Sequence, residues 1–399
     1  MRLLLVAPFL PDVRASHGGG NYLGALCQAL GAKTELALAA QLRPEEERTL
    51  QVLGTSPFVR AWTVPAAPRP TGLARGLHQL RMLARWGIAG EPLVAAKFGT
   101  AAMRHAVRRA VAEFRPDAVL LELCQSAQFV RDLAGTPCVL TDHEAGVPAN
   151  TRTGLGAFAD RRDRKLWQRY VLRHYAAADV VQAVTKEDAA ALSQLLGRTV
   201  SVREPAILVP TQPVSRTGTP PRMLFLGSYS HEPNERAATV LAQEILPLVR
   251  TRAPAAELWL AGPDCERVAS LGNVPGVRIA GFRPDLASLF ADVRIVVAPL
   301  YSGGGFRVKT LSALAHGVPV VTNALGARGA SAPAPALTVA ERNEDLANAA
   351  ARLLLDERRC VEASALAHRW AKEHVSPSAV ADAQLQRIEQ LLAARAQTR

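Results

Sequence analysis

The chain has 399 residues, of which 49% are hydrophobic and 21% are charged, and its formal net charge is +12. This length suits two domains of about 150 to 200 residues each. The composition is that of a globular protein, and no apolar run approaches the roughly 18 residues that a membrane-spanning helix needs, so we expect a soluble protein.

The first residues and the cysteines indicate the compartment. The apolar run after Arg2 is short, and Arg14-Ala15-Ser16 is not a small-x-small cleavage site, so we expect no signal peptide. The five cysteines are widely spaced, with no Cys-x-x-Cys pair and no His or Cys at metal-ligand spacing. We therefore expect reduced thiols, no bound metal and a cytoplasmic protein, either free or peripheral at the inner membrane face.

The first half of the chain alternates apolar runs with helical patterns. Residues 2–9 form a short apolar run, a glycine loop is predicted at 18–20, and 22–30 has a helical pattern. Further apolar runs at 118–123 and 137–140 are each preceded by turn residues. Such alternation of β and α elements predicts a parallel sheet with helices on its faces.

A stretch rich in proline, serine and threonine at 203–221 interrupts this alternation and predicts a linker. A second βα series follows, with predicted strands at 223–227, 257–261, 277–280, 294–298 and 318–322 and helices at 234–250, 284–291 and from the loop 300–305 to His316. The pattern predicts an α/β fold with two Rossmann-like, doubly wound domains. Their predicted bounds are 1–205 and 222–377, with a linker at 206–221 and a terminal helix within 378–399 that returns to the first domain.

A glycine-rich segment precedes the helix that ends near His316. Backbone N–H groups of such a loop, together with the positive N-terminal end of the helix, form an anion site. Arg307 and Lys309 are predicted in the first turn of this helix, where cations are unfavourable unless an anionic ligand offsets them. The alternative is a tight glycine turn followed by two solvated cations.

This segment resembles the donor-binding motif of the family 4 glycosyltransferases (glycosyl transferases group 1). Gly305-Phe306-Arg307-Val308-Lys309 is similar to the family's Gly-Thr-Arg-x-Lys variant except at Phe306, and residues 312–321 are similar to its Glu-Ala-x-Ala-x-Gly-x-Pro-Val-Val run. Gly304 and Ser312 stand where the family has glutamates. The resemblance implies the GT-B fold, in which two Rossmann-like domains face a central cleft and the second binds a nucleotide-sugar donor.

The resemblance also implies which residues bind this donor. Arg307, Lys309 and backbone N–H groups would stabilise its diphosphate without a metal or other cofactor. Further blocks resemble the loop after the first strand of each domain and the loop that approaches the nucleotide base. The implied donor-binding residues are Gly19, Gly20, Gly227, Ser228, Phe282, Arg283, Gly304, Gly305, Phe306 and Ser312.

Asp142, His143 and Glu144 end a predicted strand, at the edge where open α/β sheets place their sites. They resemble the family's Asp-x-His region, in which a histidine lies near the transferred sugar. We expect His143 to donate to a sugar hydroxyl or to manage a proton, with Asp142 or Glu144 orienting its ring. The alternative is an ordinary polar residue at a strand end.

Residues 60–115 contain ten Lys and Arg against two Glu, which indicates a local anionic partner. The patterns predict two amphipathic helices. Arg81 and Arg85 lie opposite apolar residues in the first, and Arg104, Arg108 and Arg115 do so in the second; the apolar positions are Leu73, Leu77, Leu80, Ala84, Met103, Val107, Ala110 and Phe114. Such faces suit an anionic membrane or a phosphate-bearing acceptor, and the alternative is core packing with solvated arginines. Sparse aromatic residues disfavour nucleic acid.

By this resemblance we predict a retaining glycosyltransferase of the hexosyltransferase class. It would move a sugar from a nucleoside-diphosphate sugar to a saccharide or lipid-linked acceptor in the synthesis of a surface polysaccharide or glycolipid, with His143, Arg307 and Lys309 as catalytic residues. Two alternatives stay open. One is a sugar-nucleotide epimerase on the same fold, and the other is a catalytically silent nucleotide-binding subunit, suggested by Gly304 and Ser312.

Overall fold

The structure, a computed structural model, describes residues 1–15, 18–53, 56–66, 72–144 and 156–397. Ser16 and Arg69 lie outside the described residues, as do the side chains of Leu73 and Arg75. The chain divides into two compact units. Unit 1 consists of Met1–Ala206 and Val380–Arg399, and unit 2 consists of Ile207–Ala379.

Unit 1 is built on a parallel sheet with helices around it. Its described strands are β1 (Arg2–Ala7), β2 (Glu35–Leu42), β3 (Arg60–Pro65), β4 (Ala118–Glu122), β5 (Cys138–Asp142), β6 (Val180–Ala183) and β7 (Ser201–Val202). Their order across the sheet is β3-β2-β1-β4-β5-β6-β7. The described helices are α1 (Gly18–Gly31), α2 (Pro44–Leu53), α3 (Gly72–Gly87), α4 (Leu93–Phe98), α5 (Ala101–Phe114), α6 (Ala157–His174) and α7 (Lys186–Leu196), with 3-10 segments at Cys124–Asp132 and Tyr175–Ala177.

The central strands of unit 1 are buried on both faces, which explains their almost uninterrupted apolar sequences. Every residue of β4 and β5 is buried, including the carboxylates Glu122 and Asp142 at their carboxyl ends. A buried carboxylate is costly in free energy unless it is paired or hydrogen-bonded. Both carboxylates therefore need partners within unit 1, and both have them.

Unit 2 repeats this architecture. Its described strands are β8 (Arg222–Leu226), β9 (Glu257–Ala261), β10 (Val277–Gly281), β11 (Ile295–Val297), β12 (Val320–Thr322) and β13 (Leu337–Val339), arranged in the order β10-β9-β8-β11-β12-β13. Its helices are α8 (Glu232–Val240), α9 (Leu246–Arg250), α10 (Leu286–Ala291), α11 (Val308–Ala315), α12 (Ala324–Ala327), α13 (Asn343–Leu355) and α14 (Glu357–His374). A π-helical turn, Leu241–Ile245, joins α8 to α9, and Cys265–Asn273 is a 3-10 segment.

In each sheet the strand order reverses at one place. The reversal lies between β1 and β4 in unit 1 and between β8 and β11 in unit 2. Open α/β sheets bind ligands at the carboxyl ends of the strands beside such a reversal. The predicted fold class, an α/β protein with two doubly wound parallel sheets, is confirmed.

One local prediction is wrong. Gly19 and Gly20 do not lie in a glycine loop, because α1 begins at Gly18 and both form its first turn. Residues 207–221 of the predicted linker belong to unit 2. Arg216 in this segment is 2% exposed, and its guanidinium donates to the carbonyl oxygen of Phe290 at 2.9 Å.

The terminal helix α15 (Pro377–Gln397) is held against unit 1 by polar contacts. Asp382 lies 2.5 Å from the ammonium nitrogen of Lys33. Arg395 pairs with Asp179, and Arg387 donates to the hydroxyl of Ser201. These contacts attach both ends of the helix to elements far away in the sequence.

Candidate functional site

Two loops meet at the carboxyl edge of the unit 2 sheet, after β8 and β9. Gly227 follows β8, and its N–H donates to the carbonyl oxygen of Ala261 at 3.0 Å. A Cβ atom on Gly262 would lie 2.1 Å from the carbonyl oxygen of Gly227, so only glycine permits this backbone approach. The hydroxyl of Ser228 lies 2.9 Å from the carboxylate of Asp264. The predicted donor residues Gly227 and Ser228 are thus fixed by close packing and hydrogen bonding.

Lys309 connects this edge to the glycine-rich loop after β11. Its ammonium nitrogen donates to the side-chain oxygen of Asn234 at 2.7 Å and lies 4.2 Å from the ring centre of Phe225. The side-chain nitrogen of Asn234 donates in turn to the carbonyl oxygen of Ser228 at 2.8 Å. Asn234 therefore joins the loop after β8 to the first turn of α11, beside the strand-order reversal, a role that the sequence did not predict.

The environment of Lys309 disfavours its positive charge. Burial and the nearby positive charge of Arg307 lower the pKa of Lys309 to about 7. An anion placed beside the ammonium group would offset both effects and favour the charged form. This region of unit 2 is therefore suited to an anionic ligand.

Arg307 orders the glycine-rich loop from within. The sequence predicted Arg307 in the first turn of α11, but Arg307 occupies the N-cap position of this helix. Its guanidinium donates to the carbonyl oxygens of Gly303 at 2.8 Å, Gly304 at 3.1 Å and Leu325 at 3.0 Å. The bonds to Gly303 and Gly304 fix the loop, because these two carbonyl groups lie outside regular secondary structure.

Other predicted donor residues surround this loop or lie beyond it. Gly305 has a φ of 67°, a left-handed conformation that favours glycine. Phe306 packs so closely over Gly329 that a Cβ there would lie 2.5 Å from the Cβ of Phe306. Ser312 lies in α11, half-buried, one turn after Lys309.

Phe282 and Arg283 follow β10, at the edge of the sheet. Phe282 is 65% exposed. Arg283 pairs with Asp292 at 2.7 Å, and its guanidinium lies 5.7 Å from the ring centre of Trp259. These contacts hold Arg283 within its own loop region, and none of them joins it to Lys309 or Gly227.

A second polar cluster lies in the interior of unit 1. Glu122, at the carboxyl end of β4, is fully buried and accepts two hydrogen bonds from the guanidinium of Arg203, at 2.5 and 2.9 Å. Burial alone would raise the pKa of Glu122, but the charge of Arg203 and hydrogen bonds from His143 and Arg203 outweigh it and hold this pKa below its usual value. The pair is therefore ionised at neutral pH.

His143 belongs to this buried cluster. Its Nε2 atom lies 3.0 Å from the carboxylate of Glu122 and 2.8 Å from the hydroxyl of Tyr22. The same hydroxyl accepts a hydrogen bond from Arg203 at 3.1 Å. Tyr22 comes from α1 and Glu122 from β4, so the cluster spans the strand-order reversal of the unit 1 sheet.

The predicted partners of His143 are wrong. Asp142 instead accepts a hydrogen bond from the hydroxyl of Tyr175 and one from the backbone N–H of Glu144, the latter at 2.7 Å. Glu144 is exposed, whereas His143 is 8% exposed. Consecutive side chains at the end of an extended strand point to opposite faces, so the carboxylate of Asp142 and the ring of His143 lie on different sides of the sheet.

The arginines assigned to an acceptor or membrane side are mostly paired within unit 1. Arg85 forms an ion pair with Glu91 at 2.5 Å. Arg104 and Arg108 both donate to Asp132 at 2.7 Å. Only the fourth of these arginines, Arg81, forms no ion pair with a described carboxylate, and it is exposed on α3.

Helices α3 and α5 differ in how their apolar faces are covered. Met103, Val107 and Ala110 of α5 are fully buried. Leu77 and Leu80 of α3 are 61% and 64% exposed. The expectation of core packing is therefore correct for α5 and wrong for the described part of α3.

Among the described residues, no group of three or more His, Cys, Asp or Glu side chains is arranged to hold a metal ion. No described helix is both long enough and apolar enough to cross a membrane. All five cysteines are buried and unpaired by disulfides.

Residues 220–356, which run from the start of β8 to the end of α13, match the family described as Glycosyl transferases group 1. The matched range lies within the second unit. The match includes Gly227, Asn234 and Lys309, and it classes the protein as a glycosyltransferase. No sequence among curated proteins matches the chain.

Solved structures of similar fold extend this assignment to the architecture of both units. Alr3699/HepE from Anabaena, in complex with UDP and glucose, is 14% identical with a TM-score of 0.60, over 98% of this chain and 100% of its own. Sucrose-phosphate synthase from Thermosynechococcus elongatus is 18% identical with a TM-score of 0.67, over 98% and 99%. A glycosyltransferase from Rickettsia africae is 12% identical with a TM-score of 0.64, over 98% of both chains. The chain has the GT-B fold.

Proposed function

We propose that this glycosyltransferase takes a sugar from a nucleoside-diphosphate sugar held by unit 2. The observation that carries this proposal is the contact between Lys309 and Asn234, which joins α11 to α8 beside the strand-order reversal within the family-matched residues. Because a related fold, HepE, was crystallised with UDP and with UDP-glucose, a nucleoside diphosphate is the first ligand class to test.

The diphosphate would lie beside Lys309 and the N-terminal end of α11. The ammonium group and the backbone N–H groups of this helix end supply the positive charge that a leaving diphosphate needs in the transition state. Arg307 would act by ordering the glycine-rich loop with its three carbonyl bonds. We propose that these groups suffice, so that a metal chelator leaves transfer unchanged.

We propose His143 as the residue of unit 1 that contacts the transferred sugar. Glu122 and Tyr22 fix its ring through contacts with Nε2 at 3.0 and 2.8 Å. The resemblance to family 4 favours transfer with retention of the anomeric configuration. The anomeric proton coupling of the product, measured by NMR, would test this stereochemistry.

We propose a saccharide or lipid-linked acceptor, used in the synthesis of a surface polysaccharide or glycolipid. The support is α3, which exposes Leu77 and Leu80 and also carries the exposed Arg81. Exposed leucines beside a cation suit the surface of an anionic membrane. Flotation with phosphatidylglycerol vesicles would test this, and a Leu77→Ser/Leu80→Ser variant should float less than wild type.

A catalytically silent nucleotide-binding subunit is the second candidate. It is favoured by Gly304 and Ser312, which replace two family carboxylates, and by the carbonyl bonds that engage the guanidinium of Arg307. The two candidates differ in turnover, since a silent subunit binds the donor without releasing nucleoside diphosphate.

The deciding experiment measures release of nucleoside diphosphate from a panel of nucleotide sugars, with candidate acceptors present and absent. Acceptor-dependent release with a glycosylated product supports the transferase. Conversion of the nucleotide sugar to its epimer without an acceptor would indicate an epimerase. Binding without either reaction would favour the silent subunit.

A further inference from the structure

Unit 1 contains a cavity of about 360 Å³ that the proposed transfer reaction does not use. It lies among α5, α6, the segment after α3 and the 3-10 segment Cys124–Asp132. We call it the arginine cavity, because its lining includes Arg104, Arg131, Arg169 and Arg173, together with His174 and Glu91. Four guanidinium groups therefore face one carboxylate.

The carboxylates near the arginine cavity do not balance its positive charge. Glu91 already pairs with Arg85 at 2.5 Å, and Arg104 pairs with Asp132. No carboxylate in the described part of the chain forms an ion pair with Arg131, Arg169 or Arg173. The cavity thus keeps three guanidinium groups that are not neutralised by any described residue.

His174 adds a further polar group to the lining of the cavity. Its Nδ1 atom is buried and has no hydrogen-bond partner among the described residues. Burial and the charges of Arg173, Arg131 and Arg104 lower the pKa of His174 to about 4, so its ring is neutral at physiological pH. Buried polar atoms in native proteins are normally hydrogen-bonded, and those that are not require an explanation such as a ligand or an ion.

Arg131, Arg169 and Arg173 are exposed to solvent, and their clustered positive charge attracts anions to the cavity. The planar fork of a guanidinium group matches phosphate oxygens with two parallel hydrogen bonds, and several such forks are needed to satisfy a doubly charged phosphate. We propose that the arginine cavity binds a small phosphate-bearing molecule. Tyr170, whose ring lies 4.5 Å from that of His174, lines the cavity beside the arginines and offers an apolar wall for the rest of the ligand.

This site is separate from the other sites of the molecule. Arg169, Arg173 and His174 lie in the last two turns of α6, which leads through Tyr175–Ala177 to the amino end of β6. His143, by contrast, follows β5 and bonds to Glu122 and Tyr22, neither of which lines the cavity. No lining residue is shared with the Glu122 cluster or with the Lys309 region.

Calorimetric titration of the full chain with inorganic pyrophosphate, combined with hydrogen exchange of α6, tests the proposal. Titrating the Lys309→Ala variant removes the contribution of the donor region, and exchange locates the bound anion on α6. The test variant is Arg131→Gln/Arg173→Gln. Its matched control is Arg161→Gln/Arg164→Gln, which removes the same charge from two exposed arginines of α6 that do not line the cavity.

In the Lys309→Ala background we expect pyrophosphate to protect the last two turns of α6. We expect the Arg131→Gln/Arg173→Gln change to weaken binding at least about tenfold, and the control change to alter it less than about twofold. Equal weakening by both double variants would show non-specific attraction to a basic helix and overturn the proposal. Undiminished binding by Arg131→Gln/Arg173→Gln, or no protection of α6, would overturn it as well.

A second arm identifies the source of the phosphate. Flotation with phosphatidylglycerol vesicles that is lost in Arg131→Gln/Arg173→Gln, yet retained in Leu77→Ser/Leu80→Ser, would make the phosphate that of a lipid headgroup. Flotation unaffected by Arg131→Gln/Arg173→Gln, together with pyrophosphate binding that requires these arginines, would identify a free phosphate compound.

Discussion

Lys309 and Asn234 are separated by 75 residues, yet the ammonium nitrogen of one lies 2.7 Å from the side-chain oxygen of the other. The amide nitrogen of Asn234 also donates to the carbonyl oxygen of Ser228. One amide therefore sets the distance between the cation that we assign to the diphosphate and the loop that follows β8. Loss of this amide should weaken donor binding even though Lys309 itself remains.

The Asn234→Ala variant tests this positioning role. We expect its affinity for the nucleoside diphosphate to fall at least about tenfold, because hydrogen bonds to charged groups contribute roughly 1.5 to 3 kcal/mol. Calorimetric titration measures the change. Asn343→Ala is the control, since that amide also bonds a charged side chain, Glu244, but on the surface of unit 2. Equal affinity in wild type and Asn234→Ala would contradict the assigned role.

Donor binding should take up a proton above neutral pH. The pKa of Lys309 is about 7 in the free protein, and a bound diphosphate must raise it. Affinity is then expected to fall as the pH rises from 7 to 9, by up to about tenfold for each pH unit. Titration at pH 8 in two buffers of different ionisation enthalpy measures the uptake, which should vanish in Lys309→Ala. Identical binding heats in both buffers would refute the prediction.

A rise in pH should increase the contribution of Lys309 to the stability of the free protein, although it lowers the affinity for the donor. Its folded pKa, about 7, lies below its ordinary value of 10.5, so the unfolded state binds more protons between these two pH values. Stability contributed by this group therefore rises with pH across that window. Urea unfolding at pH 6.5 and 9 measures how much the free energy of unfolding rises between these pH values. This rise should be smaller for Lys309→Met than for wild type. A larger rise in the free energy of unfolding for Lys309→Met would exclude a buried Lys309 with a lowered pKa.

Replacing Glu122 with Gln should destabilise unit 1 strongly. The change leaves the guanidinium of Arg203 buried without its counter-charge, which typically reduces the free energy of unfolding by about 3 to 5 kcal/mol. Glu257→Gln is the control, because Glu257 pairs with Arg222 while its side chain is 45% exposed, and such pairs contribute about 0 to 1 kcal/mol. Urea denaturation measures both. Similar losses in the two variants would mean that Glu122 is not a buried partner of Arg203.

The His143→Ala variant should separate binding from transfer. We expect unchanged affinity for nucleoside diphosphate, since this ligand is assigned to unit 2, and a loss of transfer rate of at least about 100-fold if the ring manages a proton. Tyr22→Phe removes one hydrogen bond to the ring and keeps Glu122, so its loss should be smaller. Full activity of His143→Ala would remove His143 from the catalytic residues.

The fold could be predicted from sequence because its signals are local. Apolar runs such as those of β1 and β4 are short, buried and bounded by turn residues, and their alternation with helices indicates parallel sheets. Strand β2 was missed because its alanines do not distinguish a buried strand from a helix. The glycines of α1 were misplaced because a local turn signal was overridden by the helix that follows.

The polar clusters could be predicted only in part, because their partners are distant in sequence. His143 was identified from its position at a strand end. Its partner Tyr22 lies 121 residues earlier in the chain. Arg203, the partner of Glu122, lies 81 residues after Glu122. Pairing of Arg104 and Arg108 with Asp132 likewise depends on how α5 packs against the segment after β4. The carbonyl contacts of Arg307 depend on backbone conformation, which residue type alone does not specify.

Ligand-induced thermal stabilisation of the purified chain is the most direct test of the donor site, because a ligand that binds the folded state must raise its apparent stability. The panel consists of nucleoside diphosphates and nucleotide sugars, tested against wild type, Lys309→Ala and the exposed-lysine control Lys372→Ala. We expect one nucleotide family to raise the melting temperature of wild type and Lys372→Ala but not of Lys309→Ala. An equal rise in Lys309→Ala, or no rise for any nucleotide with folded wild-type protein, would contradict the assignment of the donor to unit 2.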